Sequence, residues 1–245
     1  MTEHKVNDHS CYLSVVTPAY NEAANLPVLV GELSQVLSHI QNRCEIVVVN
    51  DGSQDDSQDV LDALAEKYPE LRVITLVKRS GQTAAVDAGI RLARGQYIAM
   101  LDADLQNVPT EIPRMLDVLI REQCDLVNGW RKERNDPWIR LVSTRIANGF
   151  RNWITHETIH DSACGLKVFR AECIDKIKLF TGMHRFLPTL FKMEGFRVIE
   201  IPVCHRPRTA GKTKYGIGNR LFKGLRDTFA IRWMQQRTFH YQIKE

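Results

Sequence analysis

The sequence predicts an α/β domain with a mostly parallel sheet and helices on both faces. Three observations predict it. Short apolar runs alternate with stretches of helical periodicity through the first 130 residues. The strand runs are continuously apolar rather than alternating, which marks strands buried on both faces. The chain has 245 residues, 44% hydrophobic and 25% charged, so it can bury such a sheet without a metal or disulfide.

Leu13–Thr17 reads as the first strand. Glu22–Ile40 reads as a helix, because Leu26, Leu29, Leu33, Val36, Leu37 and Ile40 recur at helical spacing. Glu45–Val49 is a strand, and Asp55–Tyr68 a helix with a Ser53/Asp55 capping start. Val73–Val77 is a strand, and Gln82–Ala93 a helix closed by Gly95. Tyr97–Leu101 is a strand, Pro109–Glu122 a helix with Pro near its first turn, and Leu126–Gly129 a strand. Beyond residue 135 the alternation loosens. Trp138–Trp153 is expected as a helix, Gly165–Phe169 as a strand, His184–Met193 as a helix and Phe196–Val203 as a strand. Gly218–Met234 is a basic amphipathic helix or helix pair, carrying Leu221, Phe222, Leu225, Phe229, Ile231 and Trp233. Its apolar side suits either the core or a membrane surface. The division that follows is a polar tail at 1–10, a domain over 11–203 and a basic amphipathic segment over 204–245.

No apolar run approaches the roughly 20 residues of a spanning helix. Met1–Ser10 has no apolar stretch of the signal-peptide kind, which points to the cytosol. The six cysteines form no C-x-x-C pair and read as reduced, mostly buried thiols.

Charge is uneven. Arg206–Glu245 holds ten Lys/Arg against Asp227 and Glu245, a net of +8. The other 205 residues hold 23 Lys/Arg against 27 Asp/Glu, a net of −4. Within that acidic body Arg131, Lys132, Arg134, Arg140, Arg145 and Arg151 make a second basic stretch. Two basic segments on an acidic body imply an anionic partner: a phosphorylated small molecule, an anionic membrane or nucleic acid.

Open parallel sheets bind ligands beyond the carboxyl ends of their strands. The informative residues therefore follow each strand. The strongest signal is Asp102-Ala103-Asp104-Leu105-Gln106. In extended chain Asp102, Asp104 and Gln106 share one face. Hard oxygen donors at a strand end suit Mg²⁺ or Mn²⁺, which complete their shell with substrate phosphates. A solvated, helix-capping turn is the plainer alternative. Asp51, in Val49-Asn50-Asp51-Gly52-Ser53, can read a base by its ring N–H or cap the next helix. In Pro18-Ala19-Tyr20-Asn21-Glu22, Pro18 is expected to fix a turn and Tyr20 to stack on a base or ribose.

Together these residues resemble the family 2 glycosyltransferases, whose GT-A fold is a Rossmann-like, mostly parallel sheet. The resemblance runs over roughly residues 11–237. It takes in Ser80-Gly81-Gln82-Thr83-Ala84-Ala85, Asp102–Asn107, Gly129–Arg134, Asp161–Lys167, and His205–Arg208 through Gly211–Tyr215. The polyprenyl-phosphate sugar transferases are the nearest subgroup. The resemblance implies an inverting, metal-dependent enzyme that moves a sugar from a nucleoside-diphosphate sugar to a polyprenyl phosphate. It implies that Pro18, Tyr20, Glu22, Asp51, Asp102, Ala103, Arg208 and Lys214 bind the donor, and that Asp102, Asp104 and Gln106 hold Mg²⁺ or Mn²⁺. Arg131 and Arg134 would meet the acceptor phosphate. Asp161, Asp102 and Arg131 would be the catalytic residues, with Asp161 a base or an orienter of Lys167 or an arginine. The donor is a UDP-sugar by preference, with a GDP-sugar as the alternative. The implied place is peripheral on the cytoplasmic membrane face, with a membrane subunit or a second copy as further partners and no nucleic acid. A transferase acting on a soluble or polysaccharide acceptor, or a non-catalytic membrane-binding module of the same fold, are the alternative functions.

Two motifs are decoys. His156-Glu157-Thr158-Ile159-His160 matches H-E-x-x-H, yet its β-branched residues and Asp161-Ser162 oppose a stable helix. Gly211-Lys212-Thr213 mimics a P-loop tail with no feeding strand.

Overall fold

A computed structural model describes residues 10–131, 149–207 and 217–238, with 217–223 as main chain alone. Its strands are β1 (Cys11–Ala19), β2 (Cys44–Asn50), β3 (Leu71–Thr75), β4 (Gly95–Met100), β5 (Leu126–Trp130), β6 (Lys167–Arg170) and β7 (Val198–Pro202). They form one sheet in the order β3-β2-β1-β4-β6-β5-β7. β1 runs parallel to β2 and β4, β2 to β3, and β5 to β7. Only β6, among these, is antiparallel to its neighbours, β4 and β5. The helices are α1 (Leu26–Leu37), α2 (Ser57–Lys67), α3 (Gln82–Leu92), α4 (Glu111–Arg121), α5 (149–155), α6 (Leu187–Met193) and α7 (Ile217–Arg237).

Successive strand side chains point to opposite faces, so each strand feeds two cores. Leu13 and Val15 of β1, with Ile46 and Val48 of β2, meet Leu29 and Leu33 of α1, Leu61 of α2, and Ile112 and Met115 of α4. Val16, Val47, Val49 and Ile98 face the other way, against Val86 and Ile90 of α3, Leu187 and Phe191 of α6, and Ile231 of α7. Each such side chain contributes about 1.5–3 kcal/mol on burial.

Pro18 departs from expectation. It lies inside β1, paired with Val49, and fixes no turn. β4 pairs with β1 only as far as Val16, opposite Met100. The missing N–H of Pro18 therefore falls where the β4 ladder has already ended, a place a strand tolerates proline. Gly95 opens β4 rather than closing α3. The expected helix over 184–193 divides into a 3₁₀ turn, Met183–Phe186, and α6.

The C-terminal half of α7 is anchored. Ile231 is fully buried, and Gln235 Nε2 donates to Thr155 O of α5 at 2.9 Å. Its outer side leaves Phe229 57% and Trp233 62% exposed, while α5 leaves Trp153 73% exposed. No described helix is long and apolar enough to cross a membrane.

Candidate active site

The chain runs from β1 outward to β3, then returns to β4 on the other side of β1. The crevice between β1 and β4 is thus the topological switch point, where such sheets bind ligands. Four loops meet at its rim.

Three of them are fastened by side-chain-to-backbone bonds. Asn21 N–H donates to Ser53 Oγ at 2.9 Å and Glu22 N–H to Ser57 Oγ at 3.0 Å, zipping the β1–α1 loop to the β2–α2 loop. Asp51, buried, accepts from Ser80 N–H at 2.6 Å and Gly81 N–H at 2.9 Å, which fixes the β3–α3 loop. Gly52 has φ +62°, and a Cβ there would stand 2.6 Å from Arg79 N. Only glycine allows that conformation and that approach without strain. The Arg79 guanidinium lies 4.2 Å from the centre of the Tyr20 ring. Glu22 accepts from Asn25 Nδ2 at 2.7 Å.

The acidic run follows β4. It is a turn rather than an extended strand, with Leu105 at φ 60°. The alternation of exposure persists: Ala103, Leu105 and Asn107 are buried, while Asp102, Asp104 and Gln106 are half-buried. Asp102 Oδ1 accepts from Gln82 Nε2 at 2.8 Å, and Asp104 Oδ1 from Gln106 N–H at 3.3 Å. Burial pushes the Asp102 carboxyl above its usual range and the neighbouring Asp104 charge adds to this, against the pull of Lys167 and Arg131. The run is tied to the C-terminal segment, because Arg206 N–H donates to Gln106 O at 2.8 Å.

Cationic side chains lie on the same side of the crevice as the acidic run, on the strands next to β4. Arg131, just past β5, gives Nε and Nη2 to the two oxygens of Asp161 at 2.7 and 2.8 Å. Burial lowers the Arg131 pKa, but the Asp161 hydrogen bonds and charge more than reverse this, so the guanidinium stays charged. Lys167 of β6 is 1% exposed and donates to Cys164 O. Burial pushes the Lys167 pKa below its usual value, against the pull of Cys164, Asp161 and Asp102.

Two carboxylates in a half-buried pocket, one of them disfavoured as an anion, match what a hard divalent cation seeks. No group of three or more His, Cys, Asp or Glu converges among the described residues, so the remaining donors would be the Gln106 amide and substrate oxygens. That donor set fits Mg²⁺ or Mn²⁺. The zinc decoy does not form: residues 157–160 are not helical, Glu157 pairs with Lys192 at 2.9 Å, and His160 Nδ1 contacts Glu200 at 3.0 Å.

The structure therefore gathers Asp102, Asp104, Gln106, Arg131, Asp161 and Lys167 on one side, and Tyr20, Glu22 and Asp51 on the other. Arg134, Arg208 and Lys214 lie outside the described residues, as does the P-loop-like Gly211–Thr213. Sequence reasoning missed Asn128 and Glu200, which hold the Asp161 turn. Both sit inside strands, where a lone polar residue gives no local signal of its partner.

Residues 14–178 match the family model for glycosyl transferase family 2. The dodecaprenyl-phosphate galacturonate synthase of Rhizobium johnstonii is 38% identical over 230 residues, 91% of this chain and 67% of that protein. The undecaprenyl-phosphate 4-deoxy-4-formamido-L-arabinose transferase of Aeromonas hydrophila is 34% identical over 206 residues, 84% of this chain and 63% of that protein. The chain thus spans about two thirds of the length of these curated relatives. Among solved structures, glucosyl-3-phosphoglycerate synthase from Mycobacterium tuberculosis, in complex with Mn²⁺, UDP and glucosyl-3-phosphoglycerate, superposes with a TM-score of 0.67 at 18% identity, covering 94% of this chain and 82% of that one. A mannosyltransferase from Pyrobaculum calidifontis, in complex with GDP-Man and Mn²⁺, gives a TM-score of 0.63 at 18% identity, covering 97% and 67%. With its sheet order, its switch-point acids and these matches, the chain belongs to glycosyl transferase family 2 and has the GT-A fold.

Proposed function

We propose that the chain transfers a sugar from a nucleoside diphosphate to a polyprenyl phosphate, with inversion at the anomeric carbon. The observation that carries this is the gathering of the Asp102–Asp104 turn, the Arg131–Asp161 pair and buried Lys167 on the adjoining strands β4, β5 and β6, with Gly165 packed on Asp102. An acidic edge suits a metal diphosphate, and a cationic edge suits a second phosphate. The names of the relatives from Rhizobium johnstonii and Aeromonas hydrophila support the lipid acceptor.

Asp51 would read the base, with Tyr20 and Arg79 stacking beside it and Pro18, Glu22 and Ala103 shaping the pocket. UDP is the favoured nucleotide. Asp102, Asp104 and Gln106 would hold Mg²⁺ or Mn²⁺. When bound, the metal supplies neutralising charge to the diphosphate leaving group. The Mn²⁺ in both structural neighbours supports this reading. Arg208 and Lys214 are proposed on the sequence to add to that neutralisation, and Arg134 to the acceptor side.

The acceptor attacks through a phosphate oxygen. A phosphate monoester has its second pKa near 6 and is largely a dianion at neutral pH. It needs positioning more than deprotonation, so no strong base is required. Asp161 already accepts both prongs of Arg131 and is best read as the residue that orients it. The acceptor tail stays in a bilayer, so the chain must work at the membrane surface, on the cytoplasmic face. The exposed aromatics of α5 and α7, with Arg226 and Arg237 on α7, suit an anionic interface.

The test is incubation of purified protein with polyprenyl phosphate in membranes and a panel of labelled UDP- and GDP-sugars. Label extracted with the lipid supports the reading. Label found only in a water-soluble phosphate ester overturns it.

A further inference from the structure

Glu200, on β7, does more than hold the Asp161 turn. Its side chain is 13% exposed, and its carboxylate accepts four hydrogen bonds. Oε1 takes Asn128 Nδ2 at 3.0 Å and Asp161 N–H at 3.2 Å. Oε2 takes His160 N–H at 2.8 Å and His160 Nδ1 at 3.0 Å. A carboxylate can only accept, so Nδ1 carries the proton in this contact.

These bonds converge on Arg131 by two routes. In the first, β5 and β7 pair Asn128 with Glu200 side by side. The fully buried Asn128 amide also donates to Asp161 O at 3.0 Å. The main-chain N–H of Asp161 is thus held by Glu200 and its C=O by Asn128, with the carboxylate turned to Arg131. In the second, His160 stacks on Trp130, the residue before Arg131, with ring centres 4.5 Å apart and planes at 23°. Glu200 fixes the His160 ring, and the ring packs on the end of β5 from which Arg131 leaves.

We propose that Glu200 is a positioning residue for Arg131, acting through the Asp161 turn and the His160–Trp130 stack. The proposal rests on the reading that Arg131 receives the acceptor phosphate only for its effect on transfer. The placement of the guanidinium stands apart from that reading. Removing the charge of Glu200 leaves the donors of residues 160 and 161 with a weaker partner. The turn then loosens, and Asp161 no longer presents both oxygens to the fork. Loss of one or two charge-assisted hydrogen bonds corresponds to about tenfold to a hundredfold in whatever equilibrium the alignment sets.

The experiment compares Glu200→Gln and Glu200→Asp with the unaltered chain. The first readout is solvent exchange of the Arg131 Nε–H by ¹⁵N NMR, assigned by its loss in Arg131→Lys. In the unaltered chain this proton is held by Asp161 and exchanges slowly. In Glu200→Gln it should exchange about tenfold faster or more, as in Asp161→Asn, with Glu200→Asp in between. The second readout is transfer. Glu200→Gln should raise the acceptor KM, leave the donor KM unchanged, and add nothing further in an Arg131→Ala background. Unchanged Nε–H exchange overturns the proposal, as does an undiminished effect in the Arg131→Ala background. Faster exchange with an unchanged acceptor KM keeps the positioning role and removes Arg131 from the acceptor site. If Glu200→Gln fails to fold, Glu200→Asp keeps the charge, displaces the oxygens, and carries both readouts.

Discussion

Gly165 lies so close to Asp102 that a side chain on it would overlap Asp102 Oδ2 and come within 2.8 Å of Asn107 Nδ2. The loop before β6 is thereby packed against the acidic turn after β4. A Gly165→Ala variant must push the Asp102 carboxylate away or shift the loop. The expected outcome is loss of transfer by tenfold or more with a stability cost of about 1–3 kcal/mol. Kinetics and chemical denaturation on the same sample check both numbers. An active, unshifted variant would mean that this contact does not set the position of Asp102.

Asp104→Asn keeps the shape of the turn and removes one of the two carboxylates proposed to hold the divalent ion. Transfer should fall by about a hundredfold or more while the fold is retained. Chelation with EDTA should match the loss, and added Mg²⁺ or Mn²⁺ should restore the unaltered chain alone. Full activity in excess chelator refutes the metal assignment.

The side chains of Arg131 and Asp161 are only 16% and 7% exposed. Removing one partner strands the other as a buried charge, at about 3–5 kcal/mol. Asp161→Asn should therefore lower stability and raise the acceptor KM, while nucleotide binding is kept. Arg131→Lys should rescue only part of Arg131→Ala, since the planar fork is lost. Urea unfolding and nucleotide titration separate these effects. Equal loss of nucleotide affinity would move Arg131 to the donor side.

His184 contacts Thr83 Oγ1 through Nδ1 at 2.7 Å, and that oxygen already accepts Gly182 N–H at 2.8 Å. The hydroxyl proton is thus free to point at the ring. Burial, then the charges of Arg185 and Lys167, push the His184 pKa down to about 3. Unfolded, it titrates near 6.5. The unfolded chain therefore binds the proton first, and the group costs stability as pH falls from about 6.5 toward 3, at up to about 1.4 kcal/mol per pH unit. Above that window it has no effect. His184→Gln should flatten the slope of Tm against pH between 6.5 and 4. An unchanged slope would show that other groups carry it.

Trp153 and Trp233, both largely exposed, are proposed to enter the interface of an anionic bilayer. Each basic residue nearby adds about 1 kcal/mol, screened by salt. The chain should co-sediment with anionic vesicles at low salt and release at high salt. Trp153→Ser with Trp233→Ser should weaken binding and slow transfer to a bilayer-embedded acceptor, while a short soluble acceptor is still used. Unaltered vesicle binding would place the contact elsewhere.

The sequence by itself determined the layered α/β class and the approximate place of most elements. Val47, Val48 and Val49 are consecutive and apolar because both faces of β2 are covered, a local pattern with a local cause. The acidic run at Asp102–Gln106 was legible as oxygen donors directly after an apolar strand, although the chain there forms a turn and not the extended strand from which a shared face was read. Pro18 was misplaced because its tolerance depends on where the β4 ladder ends, which is a fact about a strand some 80 residues away. The core placement of Ile231 and the outward side of Trp233 also required the tertiary structure, since an amphipathic helix does not say what covers it. Above all, only the tertiary structure decided that Arg131 meets Asp161, and that Glu200 accepts the Asp161 N–H. Hydrogen bonds between residues 30 and 39 apart leave no periodicity behind. They come into being when the sheet brings β5 beside β6 and β7, because burial there demands a partner for every polar group.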